Sequence, residues 1–130
     1  VGDEAGDLGV RGVDMLDGTP VLALPGYPVA CLVNAVQFLR PALASVGGTT
    51  PRPTPSLDAV LDEKLPSGPG TRTFARVRLR DEAETLRATP LCVGSECGVA
   101  AITAGDGWIV VPEQREGIPA GERVDVQQWD

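Results

Sequence analysis

Three prolines within eight residues, in Thr-Thr-Pro-Arg-Pro-Thr-Pro-Ser at 49–56, constrain this 130-residue chain more than any other feature. A proline lacks the amide hydrogen a helix needs and its ring collides with the preceding turn, so the stretch reads as a stiff extended connector. The hydrophobic period changes across it. Before it, Val29, Leu32, Val33, Val36, Leu39, Leu43 and Val46 recur at spacings of three and four, the stripe of an amphipathic helix. After it the spacing falls to two, with Leu57, Ala59 and Leu61 on one side of a strand. We therefore expect two domains, 1–48 and 49–130.

The first part predicts a strand, a tight loop and a helix. A short strand is expected over 10–15 and Asp17-Gly18 is a turn signal, while the apolar run 21–24 has the character of a strand buried on both faces. Pro25-Gly26-Tyr27-Pro28 forms the loop. Pro28 suits a first helical turn, Pro41 predicts a kink near Leu39-Arg40, and Gly47-Gly48 ends the helix. Beyond the connector, the clearest strand is 71–80. It puts Thr73, Ala75, Val77 and Leu79 on one face and Arg72, Phe74, Arg76, Arg78 and Arg80 on the other, with Asp81-Glu82 as the turn. Further strands are expected at 85–91, 108–111 and 123–129, with a loop or helical turn over 94–103. The fold class is an α/β fragment (strand, loop, helix) followed by a small all-β barrel or sandwich domain.

Composition narrows the function. Eleven basic against eighteen acidic residues leave a net charge of −7, which repels phosphate backbones and anionic bilayers, so neither nucleic acid nor membrane is an expected partner. No uninterrupted apolar run approaches the roughly 18 residues of a membrane span. No signal-peptide pattern opens the chain, and Val1 does not resemble a native start. The absence of histidine removes histidine bases, histidine-activated nucleophiles and every His-containing metal site. Cys31, Cys92 and Cys97 form no Cys-x-x-Cys and are expected to be reduced thiols of a cytoplasmic protein.

Four groups of residues invite a chemical reading, each beside a plainer one. The 25–28 loop sets backbone at a helix N-terminus, which favours a small anionic ligand; a tight βα turn needs the same residues, and two prolines remove two donors. Arg72, Arg76, Arg78 and Arg80 would clamp a phosphate or cover a solvated edge strand. Gly94-Ser95-Glu96-Cys97-Gly98 is an anion-binding nest with a Ser95 hydroxyl, or a surface turn. Asp3, Glu4, Asp7 and Asp14 would suit Mg²⁺, but dispersed acids usually serve solubility, and no metal site is assigned.

Several of these pieces stand in one order. Leu24-Pro25-Gly26-Tyr27-Pro28-Val29-Ala30, a helix ending Phe38-Leu39-Arg40-Pro41, Thr73-Phe74-Ala75-Arg76, Gly107-Trp108-Ile109-Val110-Val111-Pro112 and Ala120-Gly121-Glu122-Arg123-Val124-Asp125-Val126 resemble the molybdopterin molybdenumtransferase family, to which the C-terminal domain of gephyrin belongs. The resemblance implies that 1–48 is the C-terminal part of an α/β molybdopterin-binding domain and 49–130 the C-terminal β domain. It implies a full-length homodimer that inserts molybdate into adenylylated molybdopterin with Mg²⁺, releasing AMP, whereas this stretch alone would be inactive and hold no cofactor. Substrate-binding residues follow from it: Pro25, Gly26, Tyr27 and Pro28 at the pterin, with Arg76 and Ser95 facing it from the β domain; no catalytic residue is assigned. The family's Lys-Pro-Gly-Lys-Pro segment is replaced here by 14–20, which leaves a non-catalytic pterin- or anion-sensing scaffold as the alternative.

Overall fold

The computed structural model describes residues 12–129. The chain divides into two compact units that meet between Pro53 and Thr54. In the first, β1 (Gly12–Leu16) and β2 (Thr19–Ala23) form an antiparallel hairpin over Asp17-Gly18, whose φ values of 48° and 79° are those of a primed turn. Its register pairs Val13 with Leu22 and Met15 with Pro20, which gathers apolar residues on one face. The expected burial of 21–24 on both faces is not found. Among the described residues β2 pairs with β1 alone, and Val13, Met15 and Val21 are exposed on this two-stranded ribbon.

The helix runs as α1 (Pro28–Asn34), a π turn (Ala35–Leu39) and α2 (Arg40–Val46). Val29, Ala30, Val33 and Asn34 are its buried residues. The kink expected at Pro41 takes the form of the π turn: Pro41 has no N–H to give the Gln37 carbonyl and its ring crowds that group, so the preceding turn widens. The Arg40 amide accordingly donates to Ala35 O, five residues back. Gly48, at φ 68°, closes the helix with bonds from its own amide to Ser45 O and from the Thr49 amide to Ala44 O. The 19-residue run Pro28–Val46, with mean hydropathy 1.5, is long and apolar enough by composition to cross a membrane, as packed core helices also are.

The second unit is a closed five-stranded barrel in the order β3 (Ser56–Leu61), β6 (Thr85–Val93), β5 (Thr73–Glu82), β7 (Gly107–Val111) and β9 (Arg123–Gln127). All pairings are antiparallel except β3 with β6, and β9 returns to β3 to close the ring. Alternation sends Ala59, Leu61, Ala75, Val77, Ala88, Ile109, Val111, Val124 and Val126 inward, while Leu65 and Ile118 join the core from β4 (Leu65–Pro66) and β8 (Gly117–Ile118). Strand β5 runs two residues further than expected, and Ala83-Glu84, at φ 48° and 68°, makes the turn in place of Asp81-Glu82. Between β6 and β7 lie a 3₁₀ turn (Gly94–Glu96) and α3 (Val99–Ala104).

Asp62, just beyond β3, fastens this wall of the barrel. Its carboxylate accepts from Thr89 Oγ1 at 2.6 Å, Arg87 Nε at 2.7 Å and Arg80 at 3.4 Å, while its amide donates to Ala88 O. The Thr89 hydroxyl first, then Arg87 and Arg80, hold its pKa below the ordinary aspartate value. A depressed carboxylate contributes stability that is full above about pH 4 and lost as pH falls through the folded-state value. Asp62→Asn is therefore expected to cost about 2 kcal/mol at neutral pH and to flatten the acid limb. Urea unfolding at pH 7 and in the acid range measures both.

Candidate functional site

The six sequence-derived residues fall into both units. In the first, Pro25 is buried, whereas Gly26, Tyr27 and Pro28 are exposed on the loop from β2 into α1. Tyr27 occupies the N-cap position in extended conformation, contributes no side-chain cap, and turns a ring that is 77 % exposed to solvent. Its carbonyl accepts from the Cys31 amide at 2.8 Å. Pro28 fills the first helical position, where a missing N–H costs nothing. Gly26 is different: a Cβ built there meets nothing within 4 Å, and its φ lies outside the left-handed region. The local backbone does not require glycine at 26.

In the second unit Arg76 sits on the outer face of β5, half-buried. Its guanidinium donates to Ile102 O at 2.7 Å, Gly105 O at 2.5 Å and Ala101 O at 3.4 Å, and lies 5.1 Å from the centroid of the Trp108 ring. Arg78 reaches Ala104 O at 3.1 Å. Two arginines thus cap the carbonyl end of α3, where the helix dipole favours cations. Trp108 stacks on Trp129 at 4.6 Å, and Trp129 meets Phe74 edge-on at 5.9 Å. Gly105 makes room for the arrangement, since a Cβ there would strike the Arg76 side chain at 2.5 Å.

The remaining arginines of the stripe are engaged as well. Arg72 pairs with Glu113, whose pKa is lowered first by its own backbone amide and then by Arg72; Arg80 pairs with Asp62 and Glu82. Strand β5 lies between β6 and β7, so the stripe is not an edge face. Ser95 contributes backbone to the 94–96 turn, closed by Cys97 N to Gly94 O at 3.3 Å. Cys92 and Cys97 form a disulfide, which corrects the expectation of three reduced thiols: the 3₁₀ turn brings their Cα atoms to 5.1 Å, leaving Cys31 as a free thiol.

Arg76 and the 94–105 segment therefore form one cluster, described within its own unit. Sequence reasoning missed the α3 carbonyls, Gly105 and the aromatic platform of Trp108 and Trp129. Among the described residues no group of three or more His, Cys, Asp or Glu gathers as a metal site would, and Asp62, Glu113 and Glu122 are taken by arginines, so they do not fit Mg²⁺. Asp3, Glu4 and Asp7 lie outside the described residues; Asp14 accepts from the Met15 amide on the hairpin.

Comparison with known proteins decides the family. The family model of the MoeA C-terminal region (domain IV) matches residues 58–129. The chain belongs to the MoeA family. It is 32% identical over 122 residues to molybdopterin molybdenumtransferase 2 of Mycobacterium tuberculosis, covering 92% of this chain and 29% of that protein. A molybdopterin biosynthesis MoeA protein from Pyrococcus horikoshii superposes with a TM-score of 0.68 at 29% identity, over 89% of this chain and 28% of its own. A molybdenum cofactor biosynthesis protein from Pyrococcus furiosus gives 0.69 at 31% identity, over 83% and 38%. The chain thus spans less than two fifths of each of these MoeA relatives. Its closed barrel corresponds to MoeA domain IV.

Gly105 and Gly98 separate a packing requirement from composition. Gly105→Ala is expected to displace the Arg76 guanidinium and cost about 1–3 kcal/mol. Gly98→Ala, in open space at the N-cap of α3, is expected to cost only a few tenths of a kcal/mol. Denaturant unfolding of the two variants checks the contrast.

Proposed function

We propose that this chain acts within a longer MoeA-family protein that inserts molybdate into adenylylated molybdopterin and releases AMP. The observation that carries the reading is Gly26. It stands in the loop whose residues match the family's pterin-lining segment, and neither space nor φ in its own unit calls for glycine. A ligand lying against the backbone does, because only glycine presents main-chain groups without a Cβ in the way. In this reading Pro25 and Pro28 stiffen the loop, Tyr27 presents an exposed ring to the pterin, and the buried face of α1 fixes the loop's position.

Arg76 and Ser95 enter the reading from the β domain. Arg76 orders the 94–105 segment through the α3 carbonyls and supplies the cation that faces the substrate's anionic groups; Ser95 supplies a hydroxyl from the same segment. Mg²⁺ in the full-length protein would neutralise phosphate charge, and its ligands are to be sought outside the described residues. The reading also includes a homodimer working in the cytoplasm.

The β1–β2 hairpin supports a second reading. No Lys or Arg occurs between residues 12 and 39, and Asp14 and Asp17 stand where the family carries Lys-Pro-Gly-Lys-Pro. A site short of those cations suits a pterin- or anion-sensing scaffold that binds without turnover. Calorimetric titration of the full-length protein with adenylylated molybdopterin, followed by molybdate and Mg²⁺ while AMP is monitored, separates the two. Binding with molybdate-dependent AMP release supports the transferase, binding alone the scaffold, and no binding overturns both.

Gly26→Ala is expected to leave the melting temperature unchanged and to weaken binding about tenfold, or roughly 1.4 kcal/mol. Arg76→Ala is expected to reduce molybdopterin binding or molybdate-dependent turnover in the full-length protein. Unchanged binding and kinetics in either variant remove that residue from the site.

A further inference from the structure

Arg76, Trp108 and Gln127 stand side by side across β5, β7 and β9, because the register places Trp108 opposite Arg76 on one side and opposite Gln127 on the other. One more residue joins this row from beyond the last strand. Trp129 stacks on Trp108 with ring centroids 4.6 Å apart and planes within 14° of each other, and it meets Phe74 edge-on at 5.9 Å. Its Nε1 donates to Gln127 Oε1 at 2.9 Å, so the indole is anchored to the row it covers. The Gln128 amide donates to Pro55 O at 2.8 Å, which fixes the backbone one residue earlier. At Gly107 an added Cβ would collide with Val126 and Gln128, so the chain on the two sides of the seam lies close enough for the indoles to meet. Trp129 itself stands outside the barrel core.

We propose that Trp129 is a positioning residue for Arg76: by stacking on Trp108 it fixes the ring face on which the guanidinium rests, and with it the direction in which that cation meets the substrate. Among the described residues Trp108 and Gln127 are the one register pair that joins β7 to β9, so the ladder at this seam constrains the Trp108 side chain weakly and its ring neighbours hold it. An offset stack has a preferred geometry, and a ring committed to one has little freedom to tilt. The Arg76 guanidinium lies 5.1 Å from the Trp108 centroid, within the range where the ring quadrupole attracts a cation. The carbonyls of Ala101, Ile102 and Gly105 engage its donors, and the indole sets its plane. A guanidinium is a planar fork, so a change of tilt beneath it changes where the fork points. The role rests on the reading above, in which Arg76 faces the substrate's anionic groups.

The test compares Trp129→Phe, which keeps a flat ring, with Trp129→Leu, which keeps apolar bulk without one. In the ¹⁵N-labelled full chain the Arg76 Nε–H resonance carries the ring current of Trp108. Trp129→Leu is expected to move that resonance, and Trp129→Phe to keep most of its position, with the backbone amides of β3 and β6 unchanged in both. An unmoved Arg76 resonance in Trp129→Leu overturns the proposal, as does a phenylalanine variant no closer to the parent than the leucine variant. Loss of amide dispersion across the barrel in both variants also overturns it, since Trp129 would then be a staple of the whole unit. In the full-length protein, calorimetric titration with adenylylated molybdopterin is expected to show binding weakened about threefold by Trp129→Leu, and no further loss when the same change is made in an Arg76→Ala background. Equal losses in the two backgrounds overturn the proposal, because the ring would then act without the guanidinium. Unchanged binding in Arg76→Ala alone overturns the assignment of Arg76 to the substrate, while the resonance of Arg76 still decides whether Trp129 positions it.

Discussion

Five strands close on a core of small and aliphatic side chains, and the rest of this β unit is arranged around that closure. Alanine supplies part of the lining, at Ala59, Ala75 and Ala88, against leucine, isoleucine and valine. At Gly107 no side chain fits at all, because an added methyl would collide with Val126 and Gln128. The large rings are displaced to the outer face, where Phe74, Trp108 and Trp129 make a second apolar cluster. Trp108 is only 1 % exposed although it points away from the bore. The same alternation that sends Ile109 and Val111 inward thus turns Trp108 outward, beneath Arg76.

Arg76 also shows why a stripe of cations is not equivalent to an anion site. Arg72 and the three arginines of β5 find partners far away in sequence: Glu113, the end of α3, and Asp62. For Arg72 and Arg80 those partners are carboxylates, which already carry a full charge. For Arg78 the acceptor is a backbone carbonyl, which carries only partial charge. A charged acceptor makes the stronger hydrogen bond to a guanidinium, so Arg72 and Arg80 are the more firmly committed of these residues. Four similar residues in one stripe are therefore not equivalent.

Much of this architecture was legible because punctuation and period agree. Pro28 and Gly48 bound the helix, Pro41 marks its irregular turn, and the alternation of 73–79 sorts β5 into inner and outer faces. What escaped notice was set by partners rather than by local residues. Ala83 and Glu84 have no preference for positive φ, so the strand-to-strand geometry places the turn there. The exposure of β2 depends on what packs against it among the described residues, which an apolar run does not announce. Arg76 was singled out from sequence, but its carbonyl acceptors carry no side-chain signature, and the pairing of Cys92 with Cys97 needs the 3₁₀ turn to exist first.

The glycines carry the argument one step further. Gly107 is required by the packing of the barrel, Gly105 by the passage of Arg76, and Gly48 by a left-handed helix end. Each is explained by what surrounds it within its own unit. Gly26 is not: it has open space, an unexceptional φ, and a position just before a helix where most residues would be tolerated. Glycine raises the conformational entropy lost on folding, so one that the local fold does not require carries a cost without a local return. In the function proposed above, that cost is recovered where a ligand approaches the backbone at Gly26.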